Sequence, residues 1–132
     1  MLTTTARRHG WFTTAAAKPD IALPAPGFAM LNISKEWQYS TGNGVSVALI
    51  DTGVNPNPRL PVLPGGDYIM GGDGLTDCDA HGTIVASLIT AAPVPAPGAP
   101  DGVAGVAPDA TLISIRQSSR AYEPHYLSLI HI

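Results

Sequence analysis

Two short motifs, thirty residues apart along the chain, carry side chains that could move a proton together. The first motif ends the apolar run of residues 45–50 with Asp51, which is followed by threonine and glycine. The second is Asp-Ala-His-Gly-Thr, in which His81 opens an apolar helical pattern. A carboxylate that accepts a hydrogen bond from one imidazole nitrogen fixes the tautomer, and the other nitrogen can then take a proton from a hydroxyl. We therefore predict that Asp51 and His81 form a pair that activates a hydroxyl nucleophile.

The elements that must position this pair follow the order strand, helix, strand. The nearly continuous aliphatic run at residues 45–50 is typical of a parallel strand that is covered on both faces. Residues 110–115 predict a second strand of the same kind. Between them, residues 81–92 predict a helix with Asp79 as its N-cap and an apolar face of Ile84, Val85, Leu88 and Ile89. This order of elements predicts an α/β fold with a parallel sheet, in which the crossover is almost always right-handed. Ligands of such sheets bind beyond the carboxyl ends of the strands.

Proline and glycine divide the rest of the chain into less regular segments. Residues 1–30 have no clear hydrophobic period and predict an extended N-terminal arm or linker. Residues 31–40 predict a short helix with Ser34 as its N-cap. Four prolines and two glycines predict a loop over residues 55–66, and residues 68–70 predict a short strand.

The composition excludes several classes of function. The 132 residues have a net charge of −3 and only 13% of them are charged, so no basic surface predicts binding to nucleic acid. No apolar run reaches the roughly 18 residues of a membrane span. Arg7 and Arg8 precede residues 11–17, which are too short and too polar for the apolar core of a signal peptide. We expect neither a signal peptide nor a transmembrane helix within this chain.

Metal binding is a weaker interpretation of the region around His81. Cys78 and His81 have the spacing of two zinc ligands, but no second pair of cysteine or histidine lies nearby in the sequence. Calcium could bind oxygen atoms of the acidic segment, although no EF-hand spacing is present and a solvated loop is the stronger expectation. The residues considered for calcium are Asp67, Asp73, Asp77 and Asp79. We predict no metal and no cofactor.

Taken with their surroundings, the two motifs resemble those of the subtilisin-like serine proteases, whose triad follows the order Asp, His, Ser in subtilisin. The resemblance is closest to the mycosins, which are associated with type VII secretion, and it covers about residues 26–124. Features typical of mycosins are Cys78 just before Asp-Ala-His and the Arg-Gln-Ser-Ser stretch at residues 116–119. Asp-Thr-Gly also occurs in aspartic proteases, but these need paired carboxylates, and the tripeptide has no second copy here.

The resemblance implies a parallel-sheet, subtilisin-like fold that hydrolyses peptide bonds in a polypeptide substrate. Asp51 and His81 would be the catalytic residues that this chain supplies. Ser118, Ser119 and Tyr122 would border the substrate, because they match the region that leads to the family's substrate-binding edge strand. A plain core strand with its exit loop is an equally good interpretation of that segment.

The sequence departs from the family pattern in several places. It contains no Gly-Thr-Ser-x-Ala stretch, so the serine and the oxyanion asparagine are missing and we expect the chain as written to be inactive. Residues 31–124 would be the N-terminal part of a truncated catalytic domain. Residues 125–132 would be a non-native tail, because the last six match an in-frame translation of a sequencing adapter. By the family pattern, Cys78 would pair with an upstream cysteine that this chain lacks.

A second function is compatible with the same resemblance. Mycosins are associated with a membrane secretion complex, so the chain could represent a structural or partner-binding component of a type VII secretion complex. The resemblance also implies a location in the cell envelope, outside the cytoplasm, with a membrane anchor in the full-length family.

Overall fold

The computed structural model describes residues 26–93 and 104–120. In chain order these residues form α1 (Pro26–Met30), α2 (Ile33–Glu36), β1 (Ser46–Asp51), β2 (Val62–Asp67), α3 (His81–Thr90) and β3 (Thr111–Arg116). The predicted arm up to residue 25, Tyr122 and the predicted tail lie outside the described residues. In this described part of the chain, no helix has the length and apolar character needed to cross a membrane.

The three strands form one parallel sheet in the order β1-β3-β2. Asp51 at the end of β1 and Asp67 at the end of β2 both pair in register with Arg116 at the end of β3. The carboxyl ends of all three strands therefore meet at one side of the sheet, where ligands of α/β proteins bind. The prediction of an α/β fold with a parallel sheet is confirmed. The two predicted strands, at residues 45–50 and 110–115, each begin and end one residue before β1 and β3.

The prediction of a loop over residues 55–66 is wrong in part, because this segment contains most of β2. Pro64 is compatible with a strand here because β2 lies at an edge of the sheet. A Cβ at Gly65 would lie only 2.6 Å from a carbonyl oxygen of β3, so the two strands need glycine at their closest approach. The strand predicted at residues 68–70 is instead a turn, whose N–H groups donate hydrogen bonds to the Asp67 carboxylate.

The N-terminal helical region is divided in two at Asn32. The prediction of one helix over residues 31–40 with Ser34 as N-cap is wrong, because Ser34 lies inside α2 and Asn32 is the N-cap. Asn32 has a φ of 51°, a left-handed conformation that asparagine tolerates and that interrupts a right-handed helix. α1 also lies where the sequence predicts an extended arm. The Trp37 indole N–H donates a hydrogen bond of 2.9 Å to the Val106 carbonyl oxygen, which joins this region to the segment before β3.

The hydrophobic core lies between α3 and one face of the sheet. Its buried centre consists of Val54, Leu60, Ala86 and Leu112. The predicted apolar face of α3 is wrong in part: Ile84 and Leu88 are 61% and 56% exposed, whereas Ile89 packs against the core as predicted. Ala86 and Thr90, outside the predicted face, are buried. Small side chains on the inner face of α3 let its backbone lie close to the sheet, and this brings the first residue of the helix to the end of β1.

Candidate functional site

Asp51 is the last residue of β1, and its carboxylate is held by the backbone of the next residue. The N–H group of Thr52 donates a hydrogen bond of 2.7 Å to Oδ1 of Asp51. The Asp51 side chain is 12% exposed. This contact orients the carboxylate, which is largely shielded from water.

His81 is the first residue of α3, and its ring lies against this carboxylate. Nδ1 of His81 is 2.8 Å from Oδ1 of Asp51, which is hydrogen-bond distance. The ring remains 54% exposed, so a reactant can approach it from solvent. The structure brings together the two residues that the sequence pairs. A proton on Nδ1 suits this contact, and Nε2 is then free to act as a base.

The start of α3 is capped by Asp77, so the prediction of Asp79 as the N-cap is wrong. Ala80 occupies the N-cap position with a φ of 63° and makes no side-chain cap. Asp77 accepts hydrogen bonds of 2.9 Å from the backbone N–H groups of Ala80 and Thr83. The left-handed turn at Ala80 separates Asp79 from the first turn of the helix, and Asp79 instead accepts a hydrogen bond of 3.0 Å from the backbone N–H of Arg120.

Asp77 is a buried carboxylate that accepts five hydrogen bonds. The donors beyond the two N–H groups of the cap are the Thr52 hydroxyl at 2.9 Å, the Thr83 hydroxyl at 2.6 Å and the Asp79 N–H at 3.1 Å. Burial by itself raises the pKa of Asp77, but the hydrogen bonds from Thr83, Thr52 and Asp79 outweigh it and hold this pKa below its ordinary value. Asp77 is therefore ionised at neutral pH. The sequence contains four nearby aspartates and no signal that singles this one out.

Gly82 allows α3 to approach the end of β1. Its backbone N–H donates a hydrogen bond of 2.9 Å to Oγ1 of Thr52. A Cβ at Gly82 would overlap the carbonyl oxygen of Gly53 and lie 3.2 Å from Oδ1 of Asp51. The glycine of the His-Gly-Thr motif is therefore required by the contact between the two motifs themselves.

The segment after β3 runs beside Asp51. The backbone N–H groups of Gln117 and Ser118 donate to the carbonyl oxygen of Asp51 at 2.8 and 3.3 Å. Ser119 is buried, and the Ser118 hydroxyl is buried with no hydrogen-bond partner among the described residues. The structure thus places the backbone of Ser118 beside Asp51. The third predicted substrate-binding residue, Tyr122, lies outside the described residues.

All four aspartates considered for calcium are engaged in other contacts, and those of Asp67 and Asp77 are buried. Asp77 caps α3, and Asp67 forms a buried ion pair with Arg116, with 3.1 Å between Oδ2 and Nη1. Burial raises the pKa of Asp67, but two backbone N–H groups and the Arg116 guanidinium outweigh it and lower this pKa. Over residues 26–93 and 104–120, no group of three or more His, Cys, Asp or Glu side chains is arranged to hold a metal ion.

Comparison with known proteins identifies the family. The sequence profile described as "Subtilase family", Peptidase S8, matches residues 42–127. The chain belongs to the subtilase family. Among subtilases it is similar to mycosin-2 of Mycobacterium tuberculosis (strain ATCC 25618 / H37Rv), with 44% identity over 80% of this chain and 34% of mycosin-2.

Solved subtilase structures have the same fold. The structure of the MycP3 protease from the type VII (ESX-3) secretion system matches with a TM-score of 0.73 and 53% identity, over 83% of this chain and 29% of that one. A chain in the structure of the periplasmic assembly from the ESX-5 inner membrane complex matches with a TM-score of 0.72 and 49% identity, over 84% of this chain and 30% of that one. These matches confirm the subtilisin-like fold and the resemblance to mycosins. The chain spans about a third of the length of these relatives.

Proposed function

We propose that this chain supplies the aspartate and the histidine of a serine endopeptidase triad. The observation that carries the proposal is the distance of 2.8 Å between Nδ1 of His81 and Oδ1 of Asp51, at the carboxyl end of a parallel strand in a subtilase. The half-exposed ring and the largely shielded carboxylate support the same roles. A base must be reached by its substrate, whereas the group that orients it works best where water does not compete.

The chemistry follows from these positions. Asp51 holds the proton on Nδ1 of His81, so Nε2 accepts the proton of a serine hydroxyl as the serine oxygen attacks the carbonyl carbon of a peptide bond. His81 then returns this proton to the leaving amine, and Asp51 stays ionised and stabilises the imidazolium in between. The 132 residues contain no Gly-Thr-Ser-x-Ala stretch. We propose that the serine and the oxyanion donors come from residues outside this chain and that the chain alone is inactive.

The proposed substrate is a polypeptide that lies along the segment after β3. Gln117 and Ser118 support this proposal, because their N–H groups donate to the carbonyl oxygen of Asp51 and keep the segment beside the pair. Ser118 and Ser119, with Tyr122 further along the chain, would border the substrate.

A second candidate function is a structural role in a type VII secretion complex. The similarity to a chain of the ESX-5 periplasmic assembly, at 49% identity, favours this role and a location outside the cytoplasm. The two functions are compatible, but they predict different results when the triad is removed. A scaffold would support secretion without Asp51 and His81, whereas a protease whose cleavage is needed for secretion would not.

The test uses a longer polypeptide that contains this chain together with a downstream serine region. We expect Asp51→Asn to lower kcat for a peptide substrate by roughly 10⁴-fold, and His81→Ala by at least as much. Asp73→Asn is the matched control, because Asp73 is exposed and its carboxylate accepts a hydrogen bond from the backbone N–H of Leu75, away from the pair. Undiminished hydrolysis in the Asp51 and His81 variants would refute the proposed protease.

The scaffold role is tested with the same variants in cells. The amounts of secreted proteins are compared between the wild type, the two triad variants and a strain that lacks the protein. Normal secretion with the triad variants, together with loss of secretion in the deletion strain, would favour the scaffold over the protease as the function that secretion needs.

A further inference from the structure

Asp77 connects the two segments that carry the proposed catalytic pair. Its Oδ1 accepts a hydrogen bond of 2.9 Å from the hydroxyl of Thr52 and another of 2.9 Å from the backbone N–H of Ala80. Thr52 directly follows Asp51, and Ala80 directly precedes His81. One carboxylate oxygen therefore contacts the immediate chain neighbours of both members of the pair.

The other oxygen of Asp77 holds the first turn of α3. Oδ2 accepts hydrogen bonds from the backbone N–H of Thr83 at 2.9 Å and from its hydroxyl at 2.6 Å. The Thr83 hydroxyl in turn accepts the backbone N–H of Asn55 at 3.0 Å. The Asn55 side chain exchanges two hydrogen bonds, of 2.8 and 2.9 Å, with the backbone of Asp77. The segment after β1 and the start of α3 are thus joined at several points around one buried carboxylate.

We propose that Asp77 is a positioning residue for Asp51 and His81. It holds Thr52 and Thr83 so that the carboxylate of Asp51 and the imidazole of His81 remain within hydrogen-bond reach. This inference rests on the proposed function, because it assigns Asp77 to the same site.

The positioning role depends on charge and acceptor geometry rather than on volume. Five donors converge on the two oxygens of Asp77, and an ionised carboxylate is the side chain of this size that accepts from all of them. An asparagine at this position has one acceptor oxygen and an NH₂ group, and the NH₂ group would face donors. Asp77→Asn therefore keeps the shape of the side chain and removes two or three of the five hydrogen bonds, depending on which oxygen the NH₂ group replaces.

The test compares Asp77→Asn with Asp73→Asn in the 132-residue chain. The readout is the proton resonance of Nδ1–H of His81, because a charge-assisted hydrogen bond to a carboxylate shifts such a proton far downfield and slows its exchange with water. Asp51→Asn removes the charged acceptor and gives the spectrum of a chain without this bond. We expect Asp77→Asn to lose the downfield resonance as Asp51→Asn does, and Asp73→Asn to keep it.

A second pair of variants separates positioning from folding. Thr83→Val removes the hydroxyl that lies between Asp77 and Asn55, and Thr83→Ser retains it. We expect the downfield resonance to be lost in Thr83→Val and kept in Thr83→Ser, with the far-ultraviolet circular dichroism of both unchanged. If Asp77→Asn alone fails to fold, the two Thr83 variants test the positioning role in its place.

Two results would overturn the positioning role. One is a downfield resonance that persists in folded Asp77→Asn or in folded Thr83→Val. The other is unfolding of the chain by both substitutions, since Asp77 would then serve stability alone. The readout is a proton of His81 and not peptide hydrolysis, so failure of this inference is distinguishable from failure of the proposed protease.

Discussion

The backbone N–H of Gly82 donates a hydrogen bond of 2.9 Å to Oγ1 of Thr52. Thr52 directly follows Asp51, and Gly82 directly follows His81, so this bond joins the positions next to both members of the pair. The Thr52 hydroxyl also donates to Asp77. The approach of imidazole to carboxylate is therefore supported by backbone and buried polar contacts that involve neither reactive group.

Gly82→Ala should disturb this approach. The added Cβ would overlap the carbonyl oxygen of Gly53, so the start of α3 must move away from β1. We expect the free energy of unfolding, measured with urea, to fall by about 1–3 kcal/mol, the usual cost of overpacking a tight contact. Gly27→Ala is the matched control, because a Cβ at Gly27 meets no atom within 4 Å. Equal losses in the two variants would contradict the proposed steric role of Gly82.

Acid should weaken the fold through Asp77. Burial raises the pKa of Asp77, but hydrogen bonds outweigh it, so this pKa lies below its ordinary value in the folded chain. A group of this kind contributes its full stability above the unfolded-state pKa of about 3.9, and the contribution is lost as the pH falls through the folded-state pKa. We expect the urea concentration at half-unfolding to decrease as the pH is lowered below about 4, and to decrease less in Asp77→Asn than in Asp73→Asn. Identical pH profiles for these two variants would rule out this contribution of Asp77.

Arg116→Met should destabilise the chain strongly. The guanidinium of Arg116 is 3.1 Å from the Asp67 carboxylate, and both side chains are buried, so the substitution leaves an unpaired buried charge. We expect a loss on the order of 3 kcal/mol in the free energy of unfolding, measured by thermal denaturation. Arg120→Met is the control at an exposed position, where a change within about 0.5 kcal/mol is expected. A similarly small change for Arg116→Met would show that the buried ion pair contributes little to the free energy of unfolding.

Ala80→Gly should stabilise the chain. Ala80 has a φ of 63°, a left-handed conformation that costs an L-residue roughly 1–2 kcal/mol and costs glycine almost nothing. After the extra chain entropy of glycine is subtracted, we expect a gain of about 0.5–1 kcal/mol in the free energy of unfolding. Ala29→Gly, inside α1, should act in the opposite direction. Loss of stability in Ala80→Gly would mean that the methyl group of Ala80 makes contacts that outweigh the strain.

The parts of the fold that the sequence predicts are those with a strong local pattern. β1 and β3 consist mostly of β-branched and aliphatic residues, and the residues of α3 follow a helical pattern that begins at His81. β2 is missed because Pro64 and Gly65 usually mark loops, and only the neighbouring strand shows why they fit at this edge. The break at Asn32 is missed for a similar reason, since asparagine permits a left-handed conformation without requiring it.

The site is predictable only in part from the sequence. Asp51 and His81 are found because their two motifs occur together in this order and at this spacing, one after an apolar strand and the other at a helix start. Asp77 is missed because it is one of several aspartates in a glycine-rich segment, and its contacts with Thr52 and Thr83 come from distant parts of the chain. The exposed face of α3 is missed because periodicity alone does not tell which side of an apolar helix faces the sheet.

The proposed protease requires that Asp51 holds the proton of His81 on Nδ1 and leaves Nε2 free as a base. Nitrogen-15 NMR of the imidazole, at a pH where the ring is neutral, measures which nitrogen carries the proton in the wild-type chain and in Asp51→Asn. We predict that Nδ1 carries it in the wild type and that this preference is lost in Asp51→Asn. A wild-type ring protonated on Nε2, or the same tautomer in both chains, would contradict the proposed protease.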